Sequence, residues 1–296
     1  MSVKSSKKTI LVTGGAGFIG SHLCERLAQD SKNQVLSLDN YFSGKKENHV
    51  PGVQYGEGHT KDISKHVRVK PDVIYHLGEY SRVRQSLQEP EVVWDLNIDG
   101  TLGVLEFWRK HGCKLIYAGS STKFTPERPD GVMGRDLAPY TWAKAANSEL
   151  VRNYARWYGL PYVNVYFYNV YGPREITDAY GAVIGIFKQR FKEGQPLQVA
   201  SPGTQMRCFT HISDIVDGII LAAKQGEGDG YGIGADDCYS LLEVARMFGG
   251  ARIMLPQTKS TRSSATVDVA QIRALGWEPK EKLADYIYAI THAKKQ

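Results

Sequence analysis

Cysteine is scarce in this sequence of 296 residues: Cys24, Cys113, Cys208 and Cys238 stand far apart, with no Cys-x-x-Cys pair. Such spacing carries neither a zinc-ligand pattern nor a disulfide framework, so free thiols, a reducing compartment and no metal site are expected. Long apolar runs are missing as well. None reaches the roughly 20 residues a membrane span needs, and the polar opening MSVKSSKKT passes straight into an apolar strand. A soluble, cytoplasmic chain is the expectation. There is no internal repeat and no low-complexity segment, which excludes solenoid arrays and tails built on composition alone. The net charge of +6 is not concentrated. Its only clusters are Lys4, Lys7 and Lys8, Lys45 and Lys46, and Lys294 and Lys295, short segments that argue against nucleic acid as a partner.

What is present is 42% hydrophobic residues, enough to bury a substantial core and to set disorder aside. Apolar runs of strand length alternate with longer stretches of helical period, the pattern of a parallel sheet with helices on both faces. Strands are expected at Thr9–Thr13, Val35–Leu38, Val73–Leu77, Leu115–Ala118 and Tyr162–Tyr168. Helices are expected from Ile19 past Leu27, from about Val92 to Lys110, and from Tyr140 to Tyr158. After Tyr171-Gly172-Pro173 the alternation weakens, and a smaller lobe is expected to follow. The division implied is a doubly wound dinucleotide-binding domain over 1–170, with 205–230 returning to it as strand plus helix, and a smaller C-terminal lobe over 171–296.

Thr13-Gly14-Gly15-Ala16-Gly17-Phe18-Ile19-Gly20 sets Gly14, Gly17 and Gly20 between the first strand and the first helix. Glycine there permits a tight turn and close backbone approach to a pyrophosphate, while the helix N-terminus offers free N–H groups. Asp39 follows the second strand, 19 residues beyond Gly20, where a carboxylate reaches ribose hydroxyls and repels a 2′-phosphate. NAD is therefore expected rather than NADP.

Tyr140-Thr141-Trp142-Ala143-Lys144 puts a phenol and an ammonium on one helix face. A free phenol, with a pKa near ~10, is a poor base at neutral pH, and a nearby positive charge favours its ionised form. The set follows a strand ending in Ala118-Gly119-Ser120-Ser121-Thr122, whose hydroxyls fall at the carboxyl end of the sheet, where doubly wound folds bind ligands.

With these residues assembled, the chain resembles the extended short-chain dehydrogenases, the NAD-dependent nucleotide-sugar epimerase and dehydratase family. The resemblance runs from the TGGAGFIG turn and Asp39 through His76-Leu77, Asn97 and the Ser-Tyr-Lys set. It continues through Tyr168-Asn169-Val170-Tyr171-Gly172-Pro173-Arg174 to Leu275-Gly276-Trp277-Glu278-Pro279. It implies a Rossmann-type fold with a substrate-binding lobe. Phe18, Ile19, Asn40, Leu77 and Asn97 would then join the glycines and Asp39 around NAD, with Asp62 and Ile63 against the adenine. Ser121 would orient the reacting hydroxyl, Tyr140 would act as acid and base, and Lys144 would also hold the nicotinamide ribose. Thr122 and Lys123 would face the sugar, and Asn169, Arg207 and Arg262 would grip the diphosphate, arginine being suited by its planar fork. Ala265, three residues before Asp268, would leave room for a bulky group at the sugar C2. Members of the family pair as homodimers through the segments that here are Leu96–Phe107 and Ala145–Trp157. The sequence departs from the family at Gly78-Glu79, where two small apolar residues are usual, at Tyr166, where the strand often carries Arg, and after Ser121.

The family's reactions begin alike, with a hydride leaving C4 of the sugar. A 4,6-dehydratase then needs an Asp-Glu pair after the catalytic hydroxyl, where this chain has Thr122 and Lys123, and decarboxylases tend to carry Glu at the latter position. Epimerisation needs neither. The resemblance therefore implies a 4-epimerase acting on a nucleotide-diphosphate sugar, UDP first among the nucleotides, in polysaccharide biosynthesis. The alternatives are a 4-oxidase or 4,6-dehydratase of the same family, and a catalytically silent NAD-binding regulator.

Overall fold

The computed structural model describes residues 7–121, 137–178, 180–256 and 268–293. The chain runs β1 (Lys8–Thr13), α1 (Phe18–Ala28), β2 (Asn33–Asp39), β3 (Val53–Glu57), α2 (Ile63–His66), β4 (Val73–His76), α3 (Pro90–Val93), α4 (Gly100–His111), β5 (Lys114–Ser120), α5 (Pro139–Tyr158) and β6 (Tyr162–Phe167). It continues through β7 (Val170–Tyr171), α6 (Val183–Lys192), β8 (Leu197–Ala200), β9 (Met206–Cys208), β10 (Thr210–His211), α7 (Ile212–Gln225) and β11 (Gly228–Ile233). The remaining elements are β12 (Cys238–Ser240), α8 (Leu241–Phe248), β13 (Arg252–Leu255), α9 (Ala270–Ala274) and α10 (Leu283–His292).

Seven strands form one sheet in the order β11-β6-β5-β4-β1-β2-β3, every pairing parallel. This is the Rossmann-type α/β architecture that the alternating pattern implied. The order reverses at β1, and a crevice opens there at the carboxyl ends of β1 and β4. One face is covered by α1 and α7, with Leu23, Leu27, Ile215 and Ile219 buried against Val12 and Val35. The other is covered by α4 and α5, with Val104, Trp108 and Val151 buried against Leu11 and Leu115. A third core, around Phe187, Leu197, Phe248 and Leu283, belongs to α6, β8, α8 and α10.

Local signals set the ends of the helices. Thr141 folds back on Ala138, accepting from its N–H at 3.0 Å and donating to its carbonyl at 2.8 Å, so that α5 starts at Pro139. Gly159, with φ +65°, stops it. The stretch expected as a helix from Val92 to Lys110 is one continuous helical run whose middle, Trp94–Asp99, is π-helical.

Two expectations need correction. The strand that joins the sheet beyond residue 205 is β11, on β6, whereas β10 pairs with β7 outside it. Cys208 and Cys238 form a disulfide, because the antiparallel pairing of β9 with β12 sets them directly opposite each other. A cross-strand register has no trace in linear cysteine spacing. Cys24 and Cys113 are free and buried. No helix among the described residues is long and apolar enough to cross a membrane.

Candidate active site

The glycine turn is shaped by how closely its backbone approaches its surroundings. Gly14 has φ +75°, and a Cβ there would stand 2.8 Å from the Gly78 backbone; one on Gly20 would stand 2.0 Å from the Gly14 carbonyl. Gly14 donates to the Leu38 carbonyl at 2.9 Å and Gly17 to that of Gly14 at 3.1 Å, which folds the loop over the end of β1. Gly17 caps α1 with no side-chain bond, leaving the first amides of the helix directed at the cavity. Asp39 closes this end. Its carboxylate accepts from the backbone N–H of Ala16 at 2.9 Å and of Tyr41 at 2.8 Å. Burial raises the Asp39 pKa, and those two N–H bonds work against the rise. Phe18, Ile19, Asn40 and Leu77 line the same cavity, as does Gly17. The bare turn, the helix start and the carboxylate at the end of β2 fit a dinucleotide.

A second cluster forms where the start of α5 meets the end of β5. Tyr140 opens α5 and Lys144 lies one turn on, with the ammonium buried against the end of β5. The Tyr140 hydroxyl meets the Ser120 hydroxyl at 3.4 Å. Ser120 is the last residue of β5; Ser121, to which the orienting role was assigned from sequence, is half-buried and lines the same cavity one step further on. The structure thus brings Ser120, rather than Ser121, to Tyr140. Lys144 donates to the Ala118 carbonyl and to Glu79, and its Nζ sits 4.7 Å from the centre of the Tyr117 ring.

Both clusters open into one cavity of about 580 Å³, within the size range of small-molecule sites. Its far wall carries Asn169, Gln205, Arg207, Arg82 and Glu175. Asn169, held at φ +36°, donates its amide to the Cys208 carbonyl at 2.8 Å, and Arg207 donates to the Met206 carbonyl at 2.7 Å. Arg82 donates to the Tyr180 carbonyl and, at 3.0 Å, to that of Ser81. Glu175 is buried, and neither carboxylate oxygen has a hydrogen-bond partner of normal geometry among the described residues. Burial pushes its pKa up to about 7; nearby N–H groups of Gly185 and Gly172 and the charges of Lys188 and Arg82 offset only part of that.

Three residues expected at the cofactor do not line this cavity. Asn97 is fully buried and spends its side chain on the Tyr80 backbone, accepting from its N–H at 2.6 Å and donating to its carbonyl at 3.1 Å. Asp62 pairs with Lys65 at 2.7 Å, and Ile63 is packed in the core under α4. Thr122, Lys123, Arg262 and Ala265 lie outside the described residues. Glu79, Arg82 and Glu175 went unassigned by sequence reasoning; only Glu79 left a signal, as a charged residue where small apolar ones are usual. No group of three His, Cys, Asp or Glu side chains among the described residues is arranged to hold a metal ion.

The sequence pattern of the NAD dependent epimerase/dehydratase family matches residues 10–234. UDP-glucuronic acid decarboxylase 3 of Arabidopsis thaliana is 30% identical, over 93% of this chain and 86% of its own length. The crystal structure of UDP-glucose 4-epimerase with UDP-glucose from Thermotoga maritima superposes with a TM-score of 0.87 at 28% identity, covering 96% of this chain and 97% of that one. The Thermus thermophilus UDP-glucose 4-epimerase in complex with NAD gives 0.84 at 27%, covering 96% and 99%.

Proposed function

The chain belongs to the NAD dependent epimerase/dehydratase family, and from that premise we propose that it inverts C4 of a nucleotide-diphosphate sugar through a transient 4-keto sugar. NAD is its cofactor, held at the glycine turn and Asp39. The observation that carries the reading is that Tyr140, Ser120 and Lys144 meet at the carboxyl end of β5 in the cavity that the glycine turn also opens into.

When bound, NAD would supply the acceptor for the C4 hydride and, once the keto sugar has turned over in the cavity, the hydride donor to its opposite face. Tyr140 takes the proton of the C4 hydroxyl as the carbonyl forms and returns it as the carbonyl is reduced. Ser120, 3.4 Å from the Tyr140 hydroxyl, holds the sugar oxygen in line for that transfer. Lys144 keeps positive charge at the base of the site. Asn169 and Arg207 face the diphosphate from the far wall; Arg262, the third candidate for that contact, lies outside the described residues. No acid beyond Tyr140 is needed, in keeping with Thr122 and Lys123 in place of a dehydratase's Asp-Glu pair.

We further infer a homodimer through α4 and α5, where Leu102 on α4 and Trp157 on α5 lie exposed, and where Trp94, just before α4, meets Trp142 on α5 in exposed edge-to-face contact at 5.8 Å. A monomer by light scattering at micromolar concentration counts against it. The enzymatic test is turnover of a panel of UDP-, GDP- and dTDP-sugars followed by mass spectrometry and NMR. Unchanged mass with inverted C4 supports epimerisation, whereas loss of water or of carbon dioxide identifies the dehydratase or decarboxylase reaction instead. Tyr140→Phe should retain NAD and lose turnover; wild-type activity in that variant overturns the mechanism.

A further inference from the structure

Glu79 is an acid buried in the floor of the site, its side chain only 2% exposed, at a position where the resemblance implies a small apolar residue. It is not stranded there. Asn147 donates to its Oε1 at 2.9 Å, Thr101 at 3.0 Å and Tyr117 at 3.1 Å, while Lys144 donates to Oε2. Four donors converge on two oxygens, so the group is a carboxylate: burial pushes its pKa up, and the Lys144 charge with the hydrogen bonds from Lys144 and Asn147 brings it below the ordinary range.

The acceptor at this end orients the hydrogen bonds behind it. Because Thr101 donates to Glu79, the His76 Nε2 at 3.0 Å must donate to the Thr101 oxygen, and His76 Nδ1 then accepts from Thr13 at 2.7 Å. Thr13 in turn accepts from the Gly78 N–H at 3.1 Å. His76 is neutral in this chain, burial having lowered its pKa to about 4. Glu79 therefore links the floor of the glycine turn to Lys144.

We propose that Glu79 is the positioning residue of the catalytic lysine: it anchors the Lys144 ammonium against the Ala118 carbonyl and offsets its charge, so that turnover sets in at higher pH than an unpaired Lys144 would give. The proposal rests on the reading of Tyr140 and Lys144 as the reacting pair. A Lys144 held by two acceptors has one donor left to turn toward the cavity, which fixes its direction as well as its charge. The other groups facing this cluster are Tyr117 on β5, His76 on β4, Asn147 on α5 and Arg82 across the cavity, with Glu175 beyond it. Among them Glu79 is the anion in direct contact with Lys144.

The test compares wild type with Glu79→Gln and Glu79→Asp, each with and without Tyr140→Phe. It uses the pH profile of kcat and, in the NAD-free protein, the phenolate absorbance assigned to Tyr140 by difference. Glu79→Gln keeps the volume and one acceptor but removes the charge. Its rate profile and its phenolate signal should both move to lower pH by about one unit or more, the scale of removing a nearby unit charge, with KM changed less than about threefold. Glu79→Asp, which keeps the charge, should stay close to wild type. Profiles for Glu79→Gln that superpose on wild type overturn the proposal alone, provided Tyr140→Phe is dead. Turnover surviving in Tyr140→Phe overturns the reading beneath it and the proposal with it.

Discussion

Glu175→Gln removes a buried carboxylate in the cavity wall that has no hydrogen-bond partner of normal geometry among the described residues, and its effect on stability follows from the linkage between folding and protonation. The folded chain holds the Glu175 proton more tightly than the unfolded chain, because burial raises its pKa from 4.5 to about 7. The native state is therefore favoured most below about 4.5. It loses stability as the pH rises, and the loss is complete above about 7. At ~1.4 kcal/mol per pH unit that rise amounts to about 3 kcal/mol, an upper figure because a loosened site lets water in. Glutamine has nearly the same shape and no charge to desolvate, so the variant should be more stable than wild type at about pH 8 by up to ~3 kcal/mol and nearly equal to it at about pH 4. For a chain of this size that is roughly 5 °C in Tm. Thermal or urea unfolding of both proteins across the range reads the difference directly, and comparing the two proteins cancels every other titrating group. An offset that is the same at both ends of the range, or a variant less stable at high pH, refutes the reasoning.

Ser120→Ala should cost on the order of 10²-fold in kcat while Ser121→Ala costs far less; the reverse ranking, by steady-state kinetics, returns the orienting role to Ser121. Asp39→Ala should weaken NAD binding and narrow the preference over NADP, since it removes both the ribose acceptor and the repulsion of a 2′-phosphate. Calorimetry showing an unchanged ratio of affinities rules out that role. Ala265→Tyr should selectively slow a 2-acetamido sugar against its 2-hydroxy counterpart, overpacking costing ~1–3 kcal/mol, or about 5- to 150-fold in kcat/KM. Equal loss on both substrates shows that Ala265 does not face C2.

The parallel sheet, the glycine turn ahead of α1 with Asp39 at the end of β2, and the placing of Tyr140 and Lys144 one turn apart on α5 were legible because each is a local property of the chain. A strand shows in a short apolar run, a phosphate turn in glycines that directly precede a helix, and a Tyr-Lys pair in helical spacing. What depended on register lay beyond that reading. Ser120 and Ser121 are adjacent hydroxyls, and which of them meets Tyr140 is set by where β5 ends against α5. Asn97 was placed at the cofactor, but its side chain is spent on the Tyr80 backbone, 17 residues away.

What the sequence by itself determined, then, is the succession of strands and helices along the chain, the glycine turn ahead of α1 and the helical spacing of Tyr140 and Lys144, all fixed by neighbours within a few residues. Only the tertiary structure decided which distant groups share a charge or a bond. It joined Cys208 to Cys238 across two strands, set Glu79 against Lys144 from 65 residues away, and sealed Glu175 in the cavity wall. Such contacts depend on packing and on the cost of burying charge, which are properties of the assembled fold and leave no periodic trace along the chain.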